Sequence, residues 1–328
     1  MHNPWLMLVD GHYFLHSSMR VPQLGVMCTL DGRPTGGIFG FLSSIKKSLD
    51  VYPSIRRVVV SWDTDRSLRR LKILPSYKNN REPNNDEERE EREKYNKRFE
   101  YQSKCLKDNL FSFGIRQAAL PVREGDDIIA LMCRLYNEIP KLIVTEDKDI
   151  FQLVDENTIM YRPFREEEVN FENFDEITGA VDIPRFLVTK AILGDTSDNI
   201  PNIPKVGKKT VESLMGYVNR CEPPVDSIGA INLFMEACEH APKTKSGKMQ
   251  AKIKSIYDSE DHILRNLDLV DMSFEKFNED EENAIRYYVE GGQVTFNRDK
   301  SLRFLTDVEF KSMIKYFSIF DNLFGQLR

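Results

Sequence analysis

The stretch WLMLVDG, residues 5–11, is a short apolar run that ends on a carboxylate, Asp10. Two further runs repeat the pattern: VVVSWD ends at Asp63, and LIVTEDKD carries Asp147 and Asp149. Continuous apolar runs of this length are typical of strands that are buried on both faces, as in parallel sheets. Ligands bind at the strand carboxyl ends of such a sheet. We therefore expect an α/β fold with acidic side chains along one edge of a mostly parallel sheet.

Helical patterns separate the apolar runs. The segments IFGFLSSIKKSLDVY (38–52) and DDIIALMCRLYNEI (126–139) have apolar residues at helical spacing. Strands that alternate with helices predict right-handed crossovers between parallel strands. NTIMYRP (157–163) and EEEVNF (166–171) predict a terminal hairpin or short strand pair. A polar segment lies at about 65–110. Its stretch DEEREEREKYNKRFEYQSKCLKDNL (86–110) has few apolar anchors and predicts a solvent-facing helix that projects from the core.

The pattern changes to helices from about residue 183. IPRFLVTKAILG (183–194) and KKTVESLMGYV (208–218) predict two helices, joined by the Gly/Pro-rich loop DTSDNIPNIPKVG (195–207). Such a loop brings backbone amides and a helix amino terminus close to a phosphate. We therefore predict two domains: an α/β domain over 1–180, and a helical region over 181–328 that is expected to bind DNA through this loop and includes a C-terminal extension.

Composition limits the class of protein. The chain has 328 residues, 41% of them hydrophobic, which suffices for about two domains with real cores. Its five cysteines show no CxxC spacing, so we expect no disulfide framework or zinc site and a reducing cytoplasm as the compartment, the host cytoplasm if a phage encodes the chain. No apolar run approaches the roughly 18 residues of a membrane span, so no membrane partner is expected.

Net charge alone argues against a nucleic-acid partner, because the chain carries −6 at pH 7 and phosphate binding needs cations. The distribution of charge argues the other way. Six basic residues and no acid lie between Arg66 and Arg81, and Lys205, Lys208 and Lys209 form a later cluster. Carboxylates that hold metal ions are also effectively neutralised by them.

Nine carboxylates form five groups within the first 200 residues. They are Asp10, Asp63, Glu124, Asp126, Asp127, Asp147, Asp149, Asp195 and Asp198. Asp147 and Asp149 point the same way in extended backbone, and Glu124 and Asp127 share a face on a helical turn. Any one of them is equally well explained as a turn residue or a helix cap. The whole set favours a site in which carboxylate oxygens bind two divalent ions. Two such ions promote the hydrolysis of a phosphodiester by water.

Six motifs carry a resemblance to a known family. They are VDG at Asp10, SWD at Asp63, YKNNR (77–81), REGDD (123–127), TEDKDIFQLV (145–154) and GDTSDNIPNIPKVGKKT (194–210). Together they resemble the flap-endonuclease family. That family includes the 5′ nuclease domain of bacterial DNA polymerase I and the phage 5′ to 3′ exonucleases, among them the phage enzyme called ribonuclease H. The match runs from about residue 5 to 217.

The resemblance implies a PIN-like nuclease domain followed by a helix-three-turn-helix region. It assigns Asp10, Asp63, Glu124 and Asp126 to a first metal site and Asp147, Asp149 and Asp195 to a second, with Asp127 and Asp198 in support. It implies two Mg²⁺, for which Mn²⁺ substitutes, and a K⁺ in the hairpin.

The same resemblance assigns basic and aromatic residues to the substrate. Lys78 and Arg81 match basic residues near the scissile phosphate, where they offset developing charge. Arg70 matches a DNA-contacting position, and Tyr77 is predicted to stack on a frayed base. Gly207, Lys208 and Lys209 match the positions that hold duplex phosphates, with Lys205 beside them. The polar segment matches the helical arch that admits single-stranded 5′ ends.

Four features depart from the family pattern or leave a choice open. Gly125 stands where Ala is usual, which predicts a looser helix start, and Glu146 replaces a Gly or Ser, which predicts added repulsion beside Asp147. The lysine-rich stretch 243–254 is either a polar loop, which we favour, or a secondary DNA contact. The tail SIFDNLFGQLR (318–328) is either a packing helix, which we favour, or a docking segment.

The sequence thus predicts a stand-alone, metal-dependent 5′ nuclease of DNA replication. Its expected substrates are DNA with a 5′ flap, nick or single-stranded 5′ end, and RNA–DNA hybrid as in primer removal. A sliding clamp and a single-strand-binding protein are expected partners, and a monomer is the default. Two alternatives remain: a non-catalytic DNA-junction binder, which the carboxylates disfavour, and a PIN-type ribonuclease for free RNA, which the duplex grip disfavours.

Overall fold

The computed structural model describes residues 4–79, 83, 85–239 and 247–328. The chain forms two compact units. Unit 1 comprises Met1–Arg66, Pro83–Asn170 and Phe277–Arg328, and unit 2 comprises Ser67–Glu82 and Phe171–Lys276. These units differ from the predicted boundary near residue 180, because the C-terminal segment belongs with the sheet and a piece of the polar segment belongs with the later helices.

Unit 1 is built on a six-stranded sheet in the order β3-β2-β1-β4-β5-β6. The strands are β1 (Leu6–Asp10), β2 (Arg57–Ser61), β3 (Arg116–Ala118), β4 (Lys141–Val144), β5 (Thr158–Arg162) and β6 (Glu167–Val169). All neighbouring pairs are parallel except β5 and β6, which are antiparallel. The predicted α/β fold with a mostly parallel sheet and a terminal strand pair is therefore confirmed.

The α-helices of the described residues are, in chain order, α1 (Gly11–Arg20), α2 (Pro22–Gly25), α3 (Gly36–Val51), α4 (Leu68–Ile73), α5 (Asp86–Asn109), α6 (Gly125–Leu135), α7 (Phe174–Thr178), α8 (Ile183–Leu193), α9 (Lys208–Val218), α10 (Ser227–Glu239), α11 (Gly247–Tyr257), α12 (Glu260–Val270), α13 (Glu279–Glu290), α14 (Arg298–Asp307), α15 (Lys311–Lys315) and α16 (Phe317–Phe324). None of the described helices is long and apolar enough to cross a membrane.

The central strand β1 lies in the interior of unit 1. Its residues Leu6 to Val9 are at most 1% exposed. Such a strand has helices on both faces and therefore reads as a continuous apolar run instead of an alternating one. The same holds for Val58 to Val60 on β2. This double burial is the reason that these two strands are identifiable in the sequence.

The C-terminal helices complete the core of unit 1. Phe317, Phe320 and Phe324 are at most 6% exposed, and the rings of the last two are stacked at 5.4 Å between centroids. Phe113, which precedes β3, packs edge-on against Phe324 at 5.6 Å. Aromatic side chains bury a large apolar area each. The tail is therefore a packing helix, as favoured, and its aromatic contacts explain why it belongs to unit 1.

Helix α5 is the predicted polar helix, and its two halves differ. Residues 86–91 are exposed, whereas Gln102, Ser103 and Leu106 are buried. The side-chain oxygen of Gln102 accepts the N–H of Gly37 at 2.7 Å, at the start of α3. The prediction of a helix is confirmed, but only the amino-terminal part of the helix is exposed to solvent on all sides.

Unit 2 is helical. Arg185, which is 1% exposed, donates from its guanidinium to the carbonyls of Val218 and Cys221 at 2.9 Å each, so it joins the start of α8 to the end of α9. Residues 247–254 lie in α11, so the favoured loop is wrong for that part of the lysine-rich stretch, while 243–246 lie outside the described residues.

Candidate metal centre and DNA-binding hairpin

The sheet of unit 1 has a topological switch point at β1. The chain runs from β1 to β2 and β3 on one side, and β4 and β5 lie on the other. In register, Asp10 pairs with Ser61 of β2, and Val9 pairs with Val144 of β4. The carboxyl ends of three strands therefore meet there, where α/β sheets bind ligands.

Asp10 ends β1 and caps α1. It is 6% exposed, and its Oδ1 accepts the N–H of Tyr13 at 2.9 Å. The interpretation of Asp10 as a helix cap is therefore correct for its local structure. The pKa of the Tyr13 phenol is raised by burial and by the negative charges of Asp147 and Asp10, against an opposing hydrogen bond from Ser17. The carboxylates at the ends of β1 and β4 are therefore close enough for both to affect the pKa of one phenol.

Asp63 lies two residues past β2 and is held at both its main chain and its side chain. Its N–H donates to Nδ1 of His12 at 2.9 Å. Its Oδ1 accepts the N–H of Gly125, the first residue of α6. A Cβ at residue 125 would lie 2.9 Å from that same Oδ1, so the Gly leaves room for the carboxylate. The Gly in place of the family's Ala therefore serves a close approach between Asp63 and α6.

The amino end of α6 supplies three carboxylates. Glu124 is its N-cap residue and is 5% exposed, and Asp127 is 0% exposed, whereas Asp126 is only partly buried. Glu124 and Asp127 thus share the buried face, as their spacing predicts. The helix dipole favours negative charge at this end. Since α6 packs against β1 and β2, these side chains lie near the switch point.

Asp147 has extended backbone, but Asp149 lies within the 3₁₀-helix that follows, so the two do not share one extended stretch as predicted. Residues 148–153 form a 3₁₀-helix, and Asp147 caps it by accepting the N–H of Asp149 at 2.9 Å through Oδ1. A side chain that accepts from the amide two residues on is a typical Asp turn. The two carboxylates are therefore set by a local turn instead of by strand pleating.

Glu146 is paired with two arginines. Its Oε2 lies 3.2 Å from Nε of Arg162 and 3.6 Å from Nε of Arg165, and its Oε1 accepts the N–H of Phe164 at 2.8 Å. A carboxylate neutralised by two guanidinium groups adds little repulsion elsewhere. The predicted repulsion between Glu146 and Asp147 is therefore offset by β5 and the loop that follows it.

The donor set of unit 1 fits a hard divalent cation. It consists of carboxylate oxygens, and three of the acids that supply them are at most 6% exposed: Asp10, Glu124 and Asp127. Buried charges need a compensating partner, and Mg²⁺ prefers oxygen ligands. Within the described ranges, however, no three acidic, histidine or cysteine side chains stand together as a formed metal-binding set. The structure therefore provides the position and the oxygen donors for such an ion.

Asp195 and Asp198 lie in unit 2, in the hairpin loop, residues 194–207, between α8 and α9. The main chains of Asp195 and Ile200 exchange two hydrogen bonds of 2.9 and 2.7 Å, which closes the loop. Gly194 has φ +66°, and a Cβ there would lie 2.4 Å from the Ile200 carbonyl. This turn therefore requires glycine.

The charges of these two loop residues are paired within unit 2. Asp195 Oδ1 accepts from Oγ of Ser197 at 2.5 Å, and Oδ2 lies 3.6 Å from Nζ of Lys190. Burial works to raise the pKa of Asp195, but the Ser197 hydrogen bonds and the Lys190 charge outweigh it and the net shift is downward. Asp198 Oδ2 lies 3.8 Å from Nζ of Lys78.

Two residues predicted to contact DNA are buried, which corrects their assignment. Tyr77 is 2% exposed and donates from Oη to Asp198 Oδ2 at 3.0 Å, so no base can stack on its ring in this arrangement. Arg70 is 3% exposed and donates from Nε to the Leu269 carbonyl at 3.0 Å. Both side chains hold the 67–79 segment inside unit 2. Arg81 lies outside the described residues.

The basic residues at the end of the hairpin loop and the start of α9 lie at the surface. Lys205, Gly207, Lys208 and Lys209 are all exposed, and Gly207 caps α9 with its backbone, without a side-chain cap. Lys208 Nζ lies 3.7 Å from a carboxyl oxygen of Glu212, a weak surface pair. The amino terminus of α9 thus presents exposed positive charge beside backbone amides, which is an arrangement that binds phosphate.

The sequence analysis missed Asn266. This α12 residue is 0% exposed, and its Nδ2 donates to the carbonyls of Ala191 at 2.8 Å and Pro201 at 2.7 Å. It therefore ties the hairpin loop to the end of α8. A lone Asn in an amphipathic helix gives no signal of such a role, because its partners are some 65 to 75 positions away in the chain.

Comparisons with known proteins agree with the fold and the motifs. The family model of the 5′-3′ exonuclease N-terminal resolvase-like domain matches residues 5–179. A 5′-3′ exonuclease of Buchnera aphidicola (subsp. Acyrthosiphon pisum) is 29% identical over 234 residues, which are 70% of this chain and 76% of that protein. A 5′-3′ exonuclease of Aquifex aeolicus is 32% identical over 219 residues, 64% of this chain and 68% of that protein.

A solved structure of the D15 flap endonuclease of bacteriophage T5, in a complex with DNA and metal ions, has a TM-score of 0.61 at 20% identity and covers 96% of this chain and 99% of its own. At that identity the likeness shows the fold. The family match, in contrast, spans more than half of the chain and contains the first five of the six motifs. This chain therefore belongs to the 5′-3′ exonuclease family.

Proposed function

We propose that this chain is a structure-specific 5′ nuclease of DNA replication that acts as a 5′ flap endonuclease and a 5′ to 3′ exonuclease. A 5′-3′ exonuclease hydrolyses phosphodiester bonds, so the predicted reaction class is confirmed by the family. The observation that carries the proposal is the placement of Asp10, Glu124 and Asp127, three buried acids, where the carboxyl ends of β1 and β2 meet α6. A protein that only bound DNA would gain nothing from anions near phosphate.

Divalent cations are the cofactors in this proposal: two Mg²⁺, with Mn²⁺ as a substitute. Asp10, Asp63, Glu124 and Asp126 are the proposed ligands of one ion, and Asp147, Asp149 and Asp195 those of the other. When bound, such ions lower the pKa of a coordinated water and stabilise charge on the phosphate. The chain itself orients the carboxylates: α6 places Glu124, the capped end of β1 places Asp10, and the turn at 147–149 places the third group.

Lys78 is the proposed cation for charge that develops on the scissile phosphate, together with Arg81. Its side chain is 12% exposed, and Asp198 accepts the Lys78 N–H at 2.9 Å through its carbonyl while its carboxylate lies 3.8 Å from Nζ. Lys78 has φ +58°, a conformation that costs free energy for a residue with a Cβ. The contacts with Asp198 hold that conformation, which supports a positioning role for Asp198 in place of direct metal ligation.

Duplex DNA is proposed to bind at the amino terminus of α9. Exposed Lys205, Lys208 and Lys209 supply the charge, and the backbone of Gly207 supplies the close approach. The T5 flap endonuclease, which shares this fold, has been seen with DNA and metal ions. The K⁺ in the hairpin loop, RNA–DNA hybrid as a substrate, a sliding clamp or single-strand-binding partner, and the monomeric state stay predictions.

One assay tests the function directly. The protein is incubated with 5′-labelled flap, nicked-duplex, RNA-primed and single-stranded substrates, with Mg²⁺ or with EDTA. We expect Mg²⁺-dependent cleavage of the flap and the nick, no cleavage in EDTA, and slow cleavage of free single strands. Binding of the flap without cleavage in any divalent ion would refute the nuclease proposal, and cleavage of free RNA above all other substrates would refute the structure specificity.

A further inference from the structure

His12 is a partly buried titratable residue to which the proposed chemistry gives no role. It lies on the first turn of α1, two residues after Asp10, and its side chain is 18% exposed. Its Nδ1 accepts the main-chain N–H of Asp63 at 2.9 Å, and the same atom lies 3.5 Å from Asp63 Oδ2. The contact joins α1 to the segment after β2 across 51 positions of sequence.

The geometry defines the protonation state of the ring. An Nδ1 that accepts a backbone N–H carries no proton, so the neutral imidazole has its proton on Nε2. His12 therefore does not act as a cation for Asp63, and Nδ1 is already occupied by a hydrogen bond.

Aromatic rings hold the imidazole in place. The ring of Trp62 meets it edge-on at 5.4 Å, and that of Phe99 of α5 stacks on it at 5.3 Å. His16, one turn further along α1, stacks on the same Phe99 at 4.0 Å, and its Nδ1 lies 2.7 Å from Oη of Tyr95. Helix α5, which is exposed along its amino-terminal part, therefore packs through these rings against His12, the residue that contacts Asp63.

Asp63 is held from two directions. The His12 contact sets its main chain, and the N–H of Gly125 contacts its carboxylate. The Asp63 side chain is 43% exposed, so packing alone does not determine its rotamer. A residue that sets the backbone therefore determines where the carboxylate points.

We propose that His12 is a positioning residue: its Nδ1 accepts the Asp63 N–H and thereby directs the Asp63 carboxylate toward the metal centre. The inference rests on the proposed function, because it takes Asp63 to be a ligand. Groups that orient a metal ligand change metal affinity or activity by about 10- to 100-fold when they are removed. A ring that served only to fill space would not need an acceptor at the Nδ1 position.

Two matched variants separate these roles. His12→Asn places an oxygen acceptor close to the position of Nδ1, whereas His12→Gln carries its acceptor one bond further out. Both are neutral and polar, and neither retains the ring. Terbium binding is measured by tryptophan-sensitised luminescence, since the chain has two tryptophans and Trp62 directly precedes Asp63, while Trp5 lies at the far end of β1. Asp63→Asn is the reference for a lost ligand.

We expect His12→Gln to bind terbium about ten-fold or more weakly than wild type, and His12→Asn to stay within about three-fold of it. The half-saturating Mg²⁺ concentration for flap cleavage should rise in parallel, while the KM for DNA is unchanged. Equal binding by all three proteins, or equal loss in both variants, would overturn the positioning role. Should either variant lose its cooperative melt, His12→Phe, which keeps the ring stack without the acceptor, takes its place and is expected to behave as His12→Gln.

The same experiment separates the inference from the function on which it rests. If Asp63→Asn binds terbium as wild type does, the metal assignment of Asp63 is wrong, and the role of His12 falls with it. If Asp63→Asn loses binding while His12→Gln keeps it, the metal centre stands and the positioning role alone is refuted.

Discussion

The substitution Glu281→Gln should lower the free energy of unfolding of unit 1 far more than Glu282→Gln, the same change one residue later. Glu281 of α13 makes a two-point contact with Arg123: Oε1 lies 2.7 Å from Nε, and Oε2 lies 3.1 Å from Nη2. Both side chains are mostly buried, at 15% and 18% exposed. Arg123 directly precedes Glu124, and its main chain exchanges hydrogen bonds with Thr64. The pair thus joins the C-terminal helices to the loops of the candidate metal centre.

The magnitude follows from the contact geometry. Hydrogen bonds to charged groups contribute about 1.5–3 kcal/mol, and a glutamine keeps only one acceptor for the guanidinium, so we expect a loss of about 2 kcal/mol in the free energy of unfolding. Gln preserves the capping box in which Glu281 and Asn278 participate, so the helix cap is not the cause. For a unit of about 200 residues, this corresponds to a fall of about 4–8 °C in Tm.

The assay is urea unfolding followed by tryptophan fluorescence, because Trp5 and Trp62 both belong to unit 1. The control is Glu282→Gln: Glu282 lies 3.1 Å from Arg134, but the side chains are 33% and 49% exposed, so its loss should cost at most about 0.5 kcal/mol.

Acidification supplies the second test of this pair. Burial works to raise the pKa of Glu281, but the hydrogen bonds from Arg123 and from the Asn278 N–H outweigh it and lower the pKa. A carboxylate with a lowered folded-state pKa stabilises the fold above its unfolded value, about 4.3, and loses that contribution as pH falls through the folded value. The difference between wild type and Glu281→Gln should therefore shrink below about pH 4. Equal stabilities of wild type and Glu281→Gln at neutral pH would refute the reasoning. A stability difference between them that persists in acid would also refute it.

Three further outcomes are expected. Asp147→Asn should abolish Mg²⁺-dependent flap cleavage in single-turnover assays and largely spare DNA binding, and near-normal turnover would remove Asp147 from the metal centre. Asn266→Ala should destabilise unit 2 by about 2–4 kcal/mol in urea unfolding followed by circular dichroism, because two carbonyls lose a buried donor, and a loss under about 0.5 would contradict this. Tyr77→Phe should cost about 1 kcal/mol through the lost contact with Asp198 and leave DNA affinity unchanged; weaker DNA binding at unchanged stability would restore the stacking role.

The strands and most helices of the first 218 residues were predictable because local pattern and burial agree. The parallel strands β1, β2 and β4 are buried on both faces and give apolar runs, and α3 and α6 have helical apolar spacing that matches their buried faces. Apart from the tail helix α16, the helices after residue 220 were not predicted individually. The membership of Phe277–Arg328 in unit 1 was not predicted either, since aromatic residues show that a segment packs but not against what.

The candidate site was predictable as a set of acids and less so as an arrangement. Asp10 and Asp63 were placed correctly after their strands, and Glu124 and Asp127 share a buried face as expected. The turn at Asp147 and Asp149 was not foreseen, because a carboxylate that accepts a nearby amide competes with extended backbone. Arg70 and Tyr77 were mistaken for surface residues because an arginine or a tyrosine is buried only where distant partners satisfy its polar atoms, here Leu269 and Asp198.

The amino-acid sequence alone determined the chemistry of this protein: which segments become buried strands, and which acids follow them. These properties depend on short-range pattern, because a run of neighbouring apolar residues indicates a buried strand and the acid that follows it is part of the same stretch. Only the tertiary structure decided which polar side chains stay exposed and which are buried and hold the fold. Hydrogen bonds such as those of His12 with Asp63 and of Asn266 with Pro201 form between residues 51 and 65 positions apart, and no local pattern encodes such distances.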